Sequence, residues 1–175
     1  MKASIAIRRF ALCGLALAAL LLACGGEGTS STGGYFDRLE ALDEEFDQRN
    51  DELAARFDEL QRGTRAVEDE VAQFVKTFED ATAATRAFVD GLTRLGPPSA
   101  VEEQHNQATK AGQAYVATMT LALDSLESAG DQSEAIAIVN EVFSSTQFES
   151  FDAACVTLQE AADENGADID LDCAD

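Results

Sequence analysis

From Leu39 onward the apolar residues recur every three or four positions, the spacing of one face of an α-helix. The first seam runs through Leu39, Leu42, Phe46, Arg49, Leu53, Phe57, Leu60 and Thr64, then through Val67, Val71, Phe74, Phe78, Ala81, Thr85, Phe88, Leu92 and Leu95. Its steps alternate three and four, with one extra four at Leu53–Phe57, a stutter that locally relaxes a supercoil. No alternating strand period competes with it. Charges fill the other face, where Glu45–Arg49, Glu52–Arg56 and Asp58–Arg62 are acid-before-base pairs four residues apart, each contributing a few tenths of a kcal/mol. Glu40–Glu44, Asp43–Asp47 and Asp47–Asp51 oppose them by similar amounts, so the helix rests on the apolar seam.

Gly96-Pro97-Pro98 ends this segment, because proline lacks the helical N–H and disfavours helix in the residue before it. Ser99-Ala100-Val101-Glu102 then reads as a capping box that opens a second helix. Its seam is Val101, His105, Ala108, Gly112, Tyr115, Met119, Ala122, Leu126 and Ala129, with Gly130 as the C-terminal cap. Asp131-Gln132-Ser133-Glu134 is a further capping box. A third seam begins at Ile136, Val139 and Phe143 and continues through Phe148, Phe151, Cys155, Leu158 and Ala162 until Asn165-Gly166 closes it. Ser144-Ser145-Thr146 is a point of interruption, with Thr146-Gln147-Phe148-Glu149 as another box.

These patterns predict an all-α fold, an antiparallel bundle of three to four long amphipathic helices with coiled-coil-like packing. The number turns on Arg62-Gly63-Thr64. A tight helical hairpin there gives four helices of similar length. The seam, however, keeps its phase across Gly63, and one glycine inside a helix costs only about 1 kcal/mol. The expectation is therefore one long helix bent at Gly63, with residues 35–62 projecting from a three-helix core. A projecting seam with Phe46, Leu53 and Phe57 uncovered predicts self-association or an envelope protein partner.

The N-terminal 23 residues read differently. Lys2, Arg8 and Arg9 precede a run of 13 apolar and small residues, Phe10–Leu22. A bilayer span needs about 18 or more such residues, so the run fits the core of an export signal. It ends in Leu21-Leu22-Ala23-Cys24, which resembles the lipobox of bacterial lipoproteins. The resemblance implies cleavage between Ala23 and Cys24, a diacylglyceryl group on the Cys24 thiol and acylation of the new amino terminus. Two or three acyl chains, at about 0.8 kcal/mol per buried CH₂, would then moor the protein where one would hold it only marginally.

Gly25–Gly34 has five glycines, four Ser/Thr and no apolar side chain, which predicts a flexible tether with a reach of about 17 Å. The chain thus divides into a signal peptide (1–23), a lipid-anchored tether (24–34) and a helical domain with an acidic tail (35–175). Gly25 stands where an aspartate commonly retains lipoproteins in the inner membrane, which favours the outer membrane of a two-membrane cell. The expected location is a bacterial membrane, with the domain facing the periplasm or the exterior.

Charge narrows the partners. The 175 residues carry 33 acids and 12 bases, and with the three leader bases gone the net charge is −24. Such a surface repels nucleic acid and anionic head groups.

Of the four cysteines, Cys13 leaves with the leader and Cys24 takes the lipid. Cys155 and Cys173 remain, an isolated pair in an exported protein, where disulfides persist. A bridge between the last helix and its returning tail is the expected state. Free thiols or metal ligation compete with it, although no CxxC and no nearby histidine supports either.

The acidic tail invites a calcium reading: with Gly166 in the glycine place of an EF-hand loop, Asp163 and Asn165 fall in ligand positions. Ala161 and Asp172 then misfit the first and twelfth places, and a hydrated acidic tail is the simpler expectation. Glu102-Glu103-Gln104-His105 holds the Glu-x-x-His spacing of di-iron bundles, yet the neighbouring seams offer Phe and Leu where further carboxylates are required. No metal, cofactor or catalytic residue is expected: there is one histidine, no GxSxG and no phosphate-binding glycine loop. The sequence points to a non-enzymatic scaffold, spacer or interaction module on the envelope. An exported cation- or solute-binding lipoprotein using its acidic helical surface is the alternative.

Overall fold

The computed structural model describes residues 31–61, 67–171 and 173. The leader with Ala23 and Cys24, the glycine at 63 and Asp172 lie outside them. Five helices follow one another: α1 (Thr32–Gln61), α2 (Val67–Arg94), α3 (Glu102–Glu127), α4 (Gln132–Phe143) and α5 (Thr146–Glu164). No strand occurs among the described residues.

α1 starts earlier than its composition suggests. Ser31 accepts a hydrogen bond from the Gly34 amide at 3.3 Å, and its carbonyl accepts one from Tyr35 N. A serine cap satisfies the first orphan amides and draws Thr32, Gly33 and Gly34, expected in the tether, into the helix. Tyr35 and Phe36 are then fully buried one turn in.

The predicted projecting helix is not seen. α1 runs antiparallel along α2: Leu42 faces Gly91, the Phe46 and Phe88 rings are 4.9 Å apart, and Phe57 lies 6.2 Å from Phe74. Arg56, expected to pair with Glu52, instead reaches Asp80 of α2 at 3.0 Å. Lys76 and Arg56 together hold the Asp80 carboxyl below the usual carboxylate range, first through the Lys76 hydrogen bond. The physical reason for the reversal is burial. Phe46, Leu53 and Phe57 gain far more from α2 than an unbroken seam phase can offer. That seam is covered inside the chain.

α2 is flanked on two sides. It buries the predicted Phe74, Phe78, Ala81, Thr85 and Leu92, and also Thr77, Thr82, Ala84 and Val89 on a second face. Thr82 and Thr85 satisfy their hydroxyls on the carbonyls of Phe78 and Ala81. Packing with α3 is antiparallel too, with Arg86 donating to Thr120 and Val89 against Gly112.

α3 buries His105, Ala108, Gly112, Tyr115, Met119 and Leu126, all on the predicted seam. Its start differs. Val101, not Ser99, is the capping residue, and no side chain caps the helix. Val101 is fully buried and its amide bonds Pro98 O, so apolar burial sets the first turn in place of the predicted box. Glu102 is left exposed in that turn. At the other end Gly130 does not adopt the left-handed conformation; it donates its amide to Glu134 Oε2 at 2.8 Å. Asp131 accepts from Glu134 N at 2.9 Å, as the second box predicts.

The third seam is split by Ser144-Ser145, giving five helices where three to four were expected. Ser145, one residue before the predicted Thr146, caps α5 by accepting from Phe148 N. The serine offers the backbone a local alternative to helix, and a short α4 and a longer α5 result. α5 closes at Gly166, whose φ is +70°, with Ala167 N bonded to Ala162 O and Gly166 N to Asp163 O. This is the Schellman arrangement that a glycine after the last helical residue permits.

Candidate functional site

The helices pack in the order α1 on α2, α2 on α3 and α3 on α5, while α4 lies against α2 and α3. α1 and α5 are not among the closely packed pairs, and a cavity of about 410 Å³ occupies the space they leave. The sequence of α1 accounts for it. Phe46 and Phe57 of its apolar stripe meet Phe88 and Phe74 of α2, and the flank that lines the cavity presents Asp43, Asp47, Asn50, Asp51 and Ala54, one face at helical spacing. α5 offers Asp152 in return.

Behind this mouth the lining is apolar and largely aromatic. Phe46 and Phe57 come from α1, Phe88 from α2, Tyr115 and Met119 from α3, and Phe151 from α5. The rings form a connected set: Phe88–Phe151 at 6.2 Å, Tyr115–Phe151 stacked at 5.9 Å and Tyr115–Phe148 at 5.5 Å. Phe143, 41% exposed, stands at the edge with its ring 6.0 Å from Phe148.

Tyr115 is the polar group of the interior. It is 4% exposed, and burial pushes its phenol well above the ordinary value, so it stays a neutral hydroxyl able to donate and accept.

One end of the cavity is closed by the tail. Leu171 and Cys173 line it together with Cys155 and Leu158 of α5. The structure joins Cys155 to Cys173 in a disulfide with Cα atoms 5.6 Å apart. Gln159 holds the same tail, donating to Ile169 O at 3.0 Å and accepting from Leu171 N at 2.8 Å. Leu171 is thereby buried among Leu39, Ala154, Leu158 and Leu92.

The other residues singled out in the sequence lie elsewhere. His105 is buried away from the cavity, its Nδ1 bonded to the Tyr35 hydroxyl at 3.1 Å. Burial lowers the His105 pKa and pushes that of Tyr35 up to about 12. Asp163 and Asn165 serve the end of α5: Asn165 donates to Ala161 O, and Asp163 accepts from Gln159. Among the described residues no group of three or more His, Cys, Asp or Glu is placed to hold a metal ion, and no helix is long and apolar enough to cross a membrane.

Sequence reasoning placed Tyr115 and Phe88 on core seams but saw no cavity behind them. The signal that marks it was present: the Asp43–Asp47–Asp51 row reads as a cost to α1, and a repeated cost on one helix face has to be offset elsewhere or used. No family model, curated protein or solved structure matches this chain.

Proposed function

We propose that this protein is a non-enzymatic, lipid-anchored binding protein of the bacterial envelope. In this reading it is moored through Cys24 and holds a small, largely apolar molecule in the cavity between α1 and α5. α1, α2, α3 and α5 then act as an antiparallel bundle of coiled-coil type with one side left unzipped. The observation that carries the reading is the cavity itself. Its size falls within the roughly 300–1,000 Å³ usual for small-molecule sites, and a mostly apolar lining with few polar groups is the composition such sites have. A bundle that served only as a spacer gains nothing from an interior void, since unfilled apolar space costs packing energy.

The test is titration of the purified domain with Nile red, a neutral apolar fluorophore. Saturable, single-site binding with a blue-shifted emission is expected, and Ala54→Trp, which places an indole at the mouth, is expected to abolish it. A dye that fails to bind the folded wild type would refute the reading.

A further inference from the structure

The tail that closes one end of the cavity is a strap with a single apolar anchor. After Gly166 the chain leaves α5 and returns along it without regular secondary structure, Ala167 and Ile169 half-buried, Asp168 and Asp170 exposed. Leu171 is the anchor, 5% exposed and in one core cluster with Leu39 of α1, Leu92 of α2, Ala108 of α3 and Leu158 of α5. These residues all line the cavity, so Leu171 fills the end at which the four helices converge.

Little besides the disulfide holds the strap in place. Gln159 gives it the hydrogen bonds to Ile169 and Leu171. No Lys, Arg or His follows Lys110 in the chain, so no salt bridge joins the strap to α5, and both carry acids. Like charges oppose the docking of one on the other. Fixing each strap residue in one conformation costs about as much as a hydrogen bond contributes. One buried leucine and two hydrogen bonds therefore do not hold an acidic segment of this length. The Cys155–Cys173 bond does, by keeping the strap beside α5 whatever its local free energy.

We propose that the strap is a redox-operated wall of the cavity: with the Cys155–Cys173 bond intact the protein holds its apolar ligand, and a dithiol that reduces the bond releases it. This rests on the proposed binding function and adds its control. The step is thiol–disulfide exchange. One thiolate of the dithiol attacks a sulfur of the bridge, the Cys155–Cys173 bond breaks, and a mixed disulfide forms while the other cysteine leaves as a thiolate. The second thiolate of the dithiol then displaces the first cysteine and closes the reductant's own disulfide. Two electrons pass from the dithiol to the protein, and its two protons end on Cys155 and Cys173. Both cysteines are half-buried and belong to the cavity wall, within reach of a small dithiol. Once the bond is broken Leu171 leaves, and water enters between Leu39, Leu92 and Leu158 where it had been excluded from the ligand's apolar surface.

The experiment loads the oxidised protein with Nile red and follows release of the dye with and without dithiothreitol, with circular dichroism on the same samples. Reduction is expected to weaken binding about tenfold or more, chiefly through faster dissociation, while the helical signal is kept. Reoxidation with oxidised glutathione is expected to restore the tight state. The Cys155→Ser, Cys173→Ser variant should release the dye quickly in both conditions, its indifference to dithiothreitol assigning the effect to this bond. Leu171→Ala, with the bond intact, should release the dye faster than the wild type and still respond to the reductant. Equal release from the oxidised and reduced protein would overturn the inference and leave the binding reading standing. Loss of the helical signal together with the dye would overturn it as well, because the bond would then hold the whole fold and not one wall. Oxidised protein that never takes up the dye would remove the binding reading itself.

Discussion

Tyr35, one turn into α1, hydrogen-bonds His105 of α3 across 3.1 Å in the interior of the fold, joining positions 70 apart in the chain. Both side chains are shielded from water, and burial favours the neutral imidazole. A histidine whose folded pKa is depressed binds fewer protons than its unfolded counterpart. Stability is therefore fully present above the ordinary value of 6.5 and is lost as the pH falls through it toward the lowered folded value. Urea unfolding between about pH 5 and pH 8 should show stability falling toward the acid end. His105→Gln should flatten that part of the profile, and an unchanged slope would show that His105 does not carry it.

Removing the disulfide tests the tail as a wall of the cavity. Cys155 and Cys173 close a loop with a sequence separation of 18, for which chain entropy gives about 3 kcal/mol. The Cys155→Ala, Cys173→Ala variant should lose about that much in chemical denaturation. It should also bind Nile red more weakly, since Leu171 and Cys173 form one end of the lining. Unaltered dye affinity would mean that the tail leaves the opening unaffected.

Gly112 is where α3 approaches two neighbours at once. A Cβ built there would lie 2.6 Å from Val89 Cγ2 and 3.0 Å from Phe151 Cε2. Valine has little rotamer freedom to yield in a helix, and Phe151 can move only by turning into the cavity. Gly112→Ala should therefore destabilise the fold by about 1–2 kcal/mol, although alanine is the better helix former by roughly 1 kcal/mol. A rise in melting temperature would show that the approach is looser than these distances indicate.

The cap of α4 is a small, clean case. Asp131 accepts from Glu134 N, and Asp131→Ala should cost about 1 kcal/mol in thermal unfolding. No change would mean that water serves the freed amide equally well.

Anchoring is tested by Cys24→Ala with membrane fractionation and mass spectrometry of the native product. The wild type is expected in the membrane fraction without residues 1–23 and with acyl mass on Cys24. The variant is expected to lose that mass and to leave the membrane. An uncleaved product, or an unmodified thiol at position 24, would discard the lipoprotein reading.

Helical character and the inward faces of α3 and α5 were legible from spacing alone, because the 3.6-residue period puts the seam on one side whatever lies opposite. His105, Tyr115 and Met119 are buried where their register places them. The stop at Gly166 was equally readable, since a left-handed residue after the last turn is cheap only for glycine. The reversal between α1 and α2 was not. Seam phase is a local property, while the choice between projecting and folding back is decided by how much apolar surface a distant helix covers. The start of α3 shifted for the same reason, with Val101 burial outweighing the hydroxyl of Ser99.

The sequence by itself determined that the chain is helical and acidic, broken at Pro97-Pro98, capped at Asp131 and stopped at Gly166, all consequences of interactions within a few residues. Only the tertiary structure decided that α1 lies on α2 but leaves α5 apart, so that Asp43, Asp47 and Asp51 border a cavity opposite Asp152. Which helices become neighbours depends on burial and charge summed over elements far apart in the chain, and no local pattern contains that sum.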